Sequence, residues 1–235
     1  MVEASRSFVC ARLLTFEDVE EAALMSRLLP GRDPVNTVFT ILDPSGREPL
    51  VRPGRSPRRR YASGAELAAD MKRLAARYPG EEQVRPDQLG LPLLTDVRRA
   101  LNVTECDAQQ LVVLRGSDAA LQPLLDELVR CCWSAELIGR FLYVRADDAT
   151  DWDTIAGAGD APAIGLLIVQ ADRYGLTGRV VGAAEPGISA QRLRALLRDA
   201  AAAFSPAPVD TRKRRRQGRR AGVRWEAEVS PRKGG

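Results

Sequence analysis

Between Gln109 and Phe204 the chain alternates short apolar runs with two amphipathic stripes, and that order leaves few folds open. Gln109–Gly116 carries the uninterrupted run Leu-Val-Val-Leu, which reads as a strand buried on both faces. In Asp118–Cys132, Leu121, Leu124, Leu125, Leu128, Val129 and Cys132 recur at 3-1-3-1-3 spacing, one face of a helix. Gly139–Val144 and Ala163–Val169 are two further apolar strands. A Gly-rich turn at Asp172–Gly178 leads to a short strand, Arg179–Val181. The closing helix, Ser189–Phe204, repeats the stripe with Leu193, Leu196, Leu197, Ala200, Ala201 and Phe204 behind a Ser189 cap. The order is β-α-β followed by β-β-α, an α/β fold with helices against a central sheet.

The preceding residues carry fewer elements. Ser7–Leu14 reads as a strand, and a helix is expected from Thr15 to Leu29, with Glu17 and Asp18 in its first turn and Pro30-Gly31 stopping it. Asn36–Leu42 reads as a buried strand, Asp43-Pro-Ser-Gly46 as a turn, and Leu50–Arg52 as the return strand of a hairpin. Ser63 and Glu66 form a capping box for a helix whose stripe is Leu67, Met71, Leu74, Ala75 and Tyr78. Residues 79–93 read as a linker containing Pro86, Gly90 and Pro92, and Leu94–Leu101 as a short helix. The expected division is 1–78, a linker at 79–93, a domain at 94–205 and a tail at 206–235.

Composition excludes several chemistries. The chain has no histidine, which removes Ser-His-Asp and Cys-His catalysis and His-ligated metals. Its four cysteines, Cys10, Cys106, Cys131 and Cys132, form no Cys-x-x-Cys, so neither a zinc ribbon nor a disulfide framework is expected. No cofactor motif is present. No apolar run is long enough for a membrane span, and the N-terminus lacks a signal-peptide apolar region. A cytoplasmic protein is expected. Charge is unevenly placed. Residues 206–235 hold ten Lys or Arg and three acids, a net +7, which leaves 25 basic and 28 acidic groups elsewhere, a net −3. With no packed core available to it, the tail is expected to be disordered.

Particular residues give this pattern a resemblance. Leu111-Val-Val-Leu-Arg-Gly116 resembles the central strand of the thioredoxin-like superfamily, which leads to its active-site loop. Pro123, five residues after Asp118, stands where that family's next helix carries a proline. Arg115-Gly116-Ser117-Asp118 therefore occupies the place of the redox Cys-x-x-Cys, and Ala161-Pro162 resembles the family's cis-proline. Phe39-Thr-Ile-Leu-Asp-Pro-Ser-Gly46 resembles the F-x-x-x-D-x-x-G strand and turn of such proteins. The resemblance implies a partial thioredoxin-like unit in front of a complete one. With Arg115 and Asp118 in the thiol positions, it implies a redox-inactive module that binds a protein partner. The alternative is a thiol-disulfide oxidoreductase whose catalytic half lies upstream of Met1.

Other candidate sites read more plainly. Cys131-Cys132 near a helix C-terminus, and Cys10 in a strand, read as buried structural thiols. Cys106 reads as a loop thiol between Glu105 and Asp107. Arg55, Arg58, Arg59 and Arg60 form a basic loop that reads as solvated, with phosphate or RNA binding as the alternative. In the tail, Arg212, Lys213, Arg214, Arg215 and Arg216, with Arg219 and Arg220, suit non-specific contact with nucleic acid or another polyanion, Trp225 stacking on a base; the alternative is a solubilising tail.

Overall fold

A computed structural model describes residues 2–5, 7–11, 13, 15–16, 18–30, 38–79, 90–206, 210–225 and 229. The chain divides into two units, one from Met1–Gln83 with Trp225–Gly235 and one from Val84–Arg224. Each is mixed α/β.

The first unit holds helices α1 (Val2–Ser5) and α2 (Val19–Leu28), strands β1 (Phe39–Leu42) and β2 (Pro49–Gly54), and helix α3 (Gly64–Arg77). Ile41, Val51, Leu67, Met71 and Leu74 form its core with Ala4 and Tyr61. The strand expected at Ser7–Leu14 is not found among its described residues. The chain begins instead with α1, which packs on α3 and buries Ala4. After it the described residues of 7–13 are turn and irregular chain, for a short apolar run forms a strand only where a neighbouring strand pairs with it. Helix α2 starts later than expected because Asp18 is its cap, accepting from the amides of Glu20 and Glu21 at 2.9 and 3.0 Å. Glu17, Gly31 and Asn36-Thr37 lie outside the described residues. At α3, Ser63 accepts from the Glu66 amide at 3.1 Å, and Glu66 reaches back to the Ala62 amide at 2.7 Å. Tyr78, expected on the stripe, is the exposed C-terminal cap.

The second unit is built on a six-stranded sheet. Its elements are β3 (Leu93–Leu94), α4 (Val97–Asp107), β4 (Gln110–Arg115), α5 (Asp118–Cys132), β5 (Phe141–Arg145), β6 (Ile155–Ala156), β7 (Gly165–Ala171), β8 (Gly178–Ala184), α6 (Ala190–Ala203) and α7 (Thr211–Arg220). The sheet order is β3-β5-β4-β7-β8-β6. Strands β3, β5 and β4 run parallel, β7 is antiparallel to β4, β8 to β7, and β6 is parallel to β8.

Strand β4 is buried on both faces, as its unbroken apolar run requires. Val112 and Leu114 pack with α5 and α6 through Leu121, Leu124, Leu128, Leu193 and Leu197. Leu111 and Val113 face the other way, onto α4 through Val97, Ala100 and Leu101. Three expectations are corrected here. Residues 80–89 lie outside the described residues, but Leu93 belongs to a strand, not to a linker. The helix expected at Leu94–Leu101 starts at Val97, where Asp96 accepts from the Arg99 amide at 3.0 Å, and it runs on to Asp107. The tail, expected to be disordered, forms helix α7 over Thr211–Arg220. Asp210 caps it through the Lys213 amide at 3.0 Å, and Arg, Lys and Gln are good helix formers.

A hairpin of the same form occurs separately in each unit. In the first, Gly46 N–H donates to Asp43 O at 2.9 Å, and Asp43 Oδ1 accepts from the amides of Arg47 and Glu48 at 3.0 and 3.1 Å. In the second, Gly175 N–H donates to Asp172 O at 3.0 Å, and Asp172 Oδ1 accepts from Leu176 and Thr177 at 2.8 and 3.3 Å. Both glycines have positive φ, +70° and +67°. Each hairpin is followed by a 14-residue helix with a serine cap, α3 behind Ser63 and α6 behind Ser189.

Candidate functional site

The β4–α5 junction is where the resemblance places a dithiol. Strand β4 ends at Arg115, and only Gly116 and Ser117 separate it from α5. Ser117 caps the helix, accepting from the Ala120 amide at 3.4 Å. Two arginines hold this short connection. Arg115 lies over the Trp152 ring, 4.3 Å from its centroid, and donates to Ala158 O at 3.1 Å. Arg145, the last residue of β5, donates through Nη2 to Gly116 O at 2.7 Å. Its Nη1 pairs with Asp118 Oδ1 at 2.8 Å. The Arg145 side chain is only 21% exposed, whereas Asp118 is 89% exposed. The carboxylate also sits in the first turn of α5, where the helix dipole favours negative charge. The junction thus joins an ion pair and a capped helix start, with Arg-Gly-Ser-Asp at 115–118 and no cysteine among them.

Ile164 closes the same end of the sheet. A Cβ at Gly116 would lie 2.8 Å from Ile164 Cγ2, so residue 116 must be small, and its φ of +129° also selects glycine. Ile164 itself is 44% exposed. The preceding Ala161–Pro162 bond is trans, which corrects the expected cis-proline. The chain enters β7 through Gly165 at φ +144°, a conformation that selects glycine.

The thiols are dispersed. Cys131 and Cys132 are buried at the opposite end of α5, about 20 Å from Asp118 at 1.5 Å per residue. Burial raises both thiols, Cys132 to about 12 with Cys131 adding to the effect, while Arg194 partly opposes the rise at Cys131. Cys10 is exposed and in no strand, because the chain there follows α1 as a turn, so the expectation of burial is corrected. Cys106 is exposed on α4, not in a loop. At pH 8, thiol-specific disulfide reagents should therefore label Cys10 and Cys106 within minutes, and Cys131 and Cys132 only after denaturation. Because folding raises the two buried pKa values, their contribution is complete below the ordinary thiol value of 9.0 and is lost as pH climbs toward about 12. Denaturant midpoints should fall across that window, and Cys132→Ser should flatten the fall.

The basic groups form two separate sets. Arg58 and Arg59 lie on a tight turn, Pro57–Arg59, that Ser56 caps through the Arg58 amide at 3.2 Å. Arg55 precedes the turn half-buried and Arg60 follows it exposed. Beside them Tyr61 donates to Asp70 Oδ2 at 2.6 Å, and Asp70 also pairs with Arg73. These bonds hold the Asp70 carboxyl below its usual range, the tyrosine bond contributing most. Glu66 and Asp70 thus share a shallow depression with Arg60 and Arg73, which offsets its positive charge. The second set lies on α7 in the other unit. Arg214 turns inward and pairs with Glu105 of α4 at 2.6 Å. Gln217 accepts from Arg173 of the β7–β8 turn, and Gly218 is buried. Arg212, Lys213, Arg215, Arg216, Arg219 and Arg220 are exposed. Trp225, expected to assist them, belongs to the first unit.

One residue of the site is not legible in the sequence. Arg145 ends an apolar strand, and its partners come from α5 and the preceding connection, so only tertiary structure identifies it. Within the turn read at Asp172–Gly178, Asp172-Arg-Tyr-Gly175 repeats the Asp-x-x-Gly spacing of Asp43–Gly46. Among the described residues no helix is long and apolar enough to cross a membrane, and no group of three or more His, Cys, Asp or Glu side chains could hold a metal. Comparison with family models, curated proteins and solved structures finds no match to any of them.

Proposed function

We propose that the chain is a non-catalytic thioredoxin-like module that acts by binding a protein partner. The order β4-α5-β5-β7-β8-α6, with the two-residue β6 inserted before β7, the proline inside α5 and the Asp-x-x-Gly hairpin found in both units support the family reading. The observation that carries the non-catalytic part is Arg145. It bridges Gly116 O and the Asp118 carboxylate across the positions where catalytic members hold their thiols. A thiolate needs a cysteine there, at the positive end of a helix.

Partner binding is supported by the surface at the same end of the sheet. Ala163 and Ile164 are exposed beside half-buried Pro162; Ile164 lies against Gly116, whose carbonyl Arg145 holds, and the next residue, Gly165, pairs with Arg115. An apolar centre with a polar rim is the usual anatomy of a protein interface. The full chain should show no insulin-disulfide reduction with dithiothreitol above background. A photo-crosslinking residue at position 164 should capture one discrete protein in cells, and one at position 58 should not. Reduction above background that disappears in Cys131→Ser or Cys132→Ser would overturn the non-catalytic reading. No capture at 164 would overturn the partner surface.

A further inference from the structure

We propose that α7 is a nucleic-acid-docking helix, held on the second unit by its inner face and gripping the sugar-phosphate backbone of duplex nucleic acid with its outer one. This goes beyond the protein-partner reading and does not depend on it. The helical period separates the two faces. At about 100° per residue, Arg214, Gln217 and Gly218 fall on one side. They are the residues turned inward, onto Glu105, onto Arg173 and into the packed surface. The six remaining cations fall on the opposite arc. Arg212, Arg215, Arg216 and Arg219 make an i, i+3, i+4, i+7 stripe, with Lys213 and Arg220 along its edge, and all six are exposed.

A tail that only solubilises has no need of this order. Helix formation crowds seven Lys or Arg into ten residues with no acid among them. A ten-residue helix is marginal alone, and its like charges at i, i+4 repel. The Asp210 cap and the partly buried Arg214–Glu105 pair oppose that cost. What the order provides is a fixed spacing of guanidinium groups, each able to grip phosphate bidentately. Arg212 to Arg220 spans about 12 Å at 1.5 Å per residue, comparable with the roughly 12 Å major groove that admits an α-helix.

The composition of the helix selects among anions. Thr-Arg-Lys-Arg-Arg-Arg-Gln-Gly-Arg-Arg has no apolar side chain larger than the threonine methyl. A membrane-surface helix needs an apolar face to insert, and a protein interface needs an apolar or aromatic centre. A phosphate backbone needs neither, since counterion release drives its binding. Gln217, the one residue of α7 suited to reading an adenine edge, is occupied by Arg173. Binding should therefore be indifferent to sequence.

The test uses the full chain and a fluorescent 20-base-pair DNA duplex in two unrelated sequences. Affinity should agree between them within about threefold. It should fall roughly 10³-fold from 50 to 200 mM salt, the log–log slope being about −5 for six phosphates at −0.9 each. R212Q/R215Q/R216Q/R219Q should bind at least about 100-fold more weakly at 100 mM salt, with a slope near −2. Glutamine is nearly as good a helix former as arginine, so circular dichroism should show the fold kept. R58Q/R59Q, on the other unit, should change affinity less than about threefold. Glu105→Gln removes a negative charge yet should weaken binding by loosening the helix. Absence of binding at 50 mM salt, full affinity in the quadruple variant, or equal affinity for phosphatidylserine vesicles would overturn the proposal. Tighter binding by Glu105→Gln would reduce it to charge alone.

Discussion

Gly165→Ala is expected to cost about 2–6 kcal/mol, a large fraction of the roughly 5–15 kcal/mol that keeps a domain folded. Gly165 opens β7 at φ +144°, a region that side chains rarely enter. An added Cβ would lie 2.0 Å from Ala184 O and 3.0 Å from Ala184 C. Those are backbone atoms of β8, and Leu166 pairs with Ala184 in the next rung. The clash cannot be relieved by rotating a side chain, so the β7–β8 ladder must separate at this end. Strain at an unfavourable φ contributes about 1–3 kcal/mol and the overpacking a similar amount. Urea unfolding followed by circular dichroism measures the loss. Gly187→Ala is the control, because nothing lies within 4 Å of its Cβ and the site is exposed. It should shift stability by less than about 0.5 kcal/mol. Equal midpoints for the two variants would contradict the strand assignment at Gly165.

Leu124→Ala should cost about 2–5 kcal/mol, as truncations of buried leucine do. Leu124 is fully enclosed between α5 and the sheet, among Val112, Leu128, Leu193 and Leu197. The cavity would open in the middle of the larger of that unit's two apolar layers, where neighbouring elements are pinned by β4 and cannot collapse. Leu197→Ala on α6 should behave alike, since that side chain is also fully buried. Leu196 reads as equivalent in the sequence stripe but is only partly buried, with its end against Gly182. Leu196→Ala should therefore cost less, roughly 1 kcal/mol. Equal losses at 196 and 197 would mean that α6 is rotated about its axis.

These comparisons mark where the sequence was legible. Long elements under strong periodic constraint were read closely: α5 was expected at Asp118–Cys132 and is found there, and β4 differs by a residue. Both have every rung or turn buried, so pattern and packing agree. The two-residue strands β3 and β6 carry no period and exist only through pairing with β5 and β8. At the N-terminus, Ser7–Leu14 reads as a strand because a short, largely apolar run carries no period that separates strand from other structure. The helix in the tail is not legible in its charge density, because Glu105, whose carboxylate pairs with Arg214, stands on α4 over 100 residues earlier in the chain. At the β4–α5 junction, the missing thiols were legible. The ion pair that fills their place was not, because Arg145 and Asp118 are brought together by the sheet.

Strand β4 also governs the order of folding. Its parallel neighbour β5 and the helix between them lie close in sequence, and the β7–β8 hairpin closes locally through Asp172. The antiparallel seam is different, for Arg115 pairs with Gly165 across fifty residues of intervening chain. Loop-closure entropy must be met there before any contact is gained, and such distant pairings slow folding. The two halves of the sheet should thus form as separate local nuclei within microseconds to milliseconds, and their zippering along β4 and β7 sets the rate. A substitution such as Val113→Ala in that seam would slow refolding, whereas one in α7 would change only the rate at which its end frays.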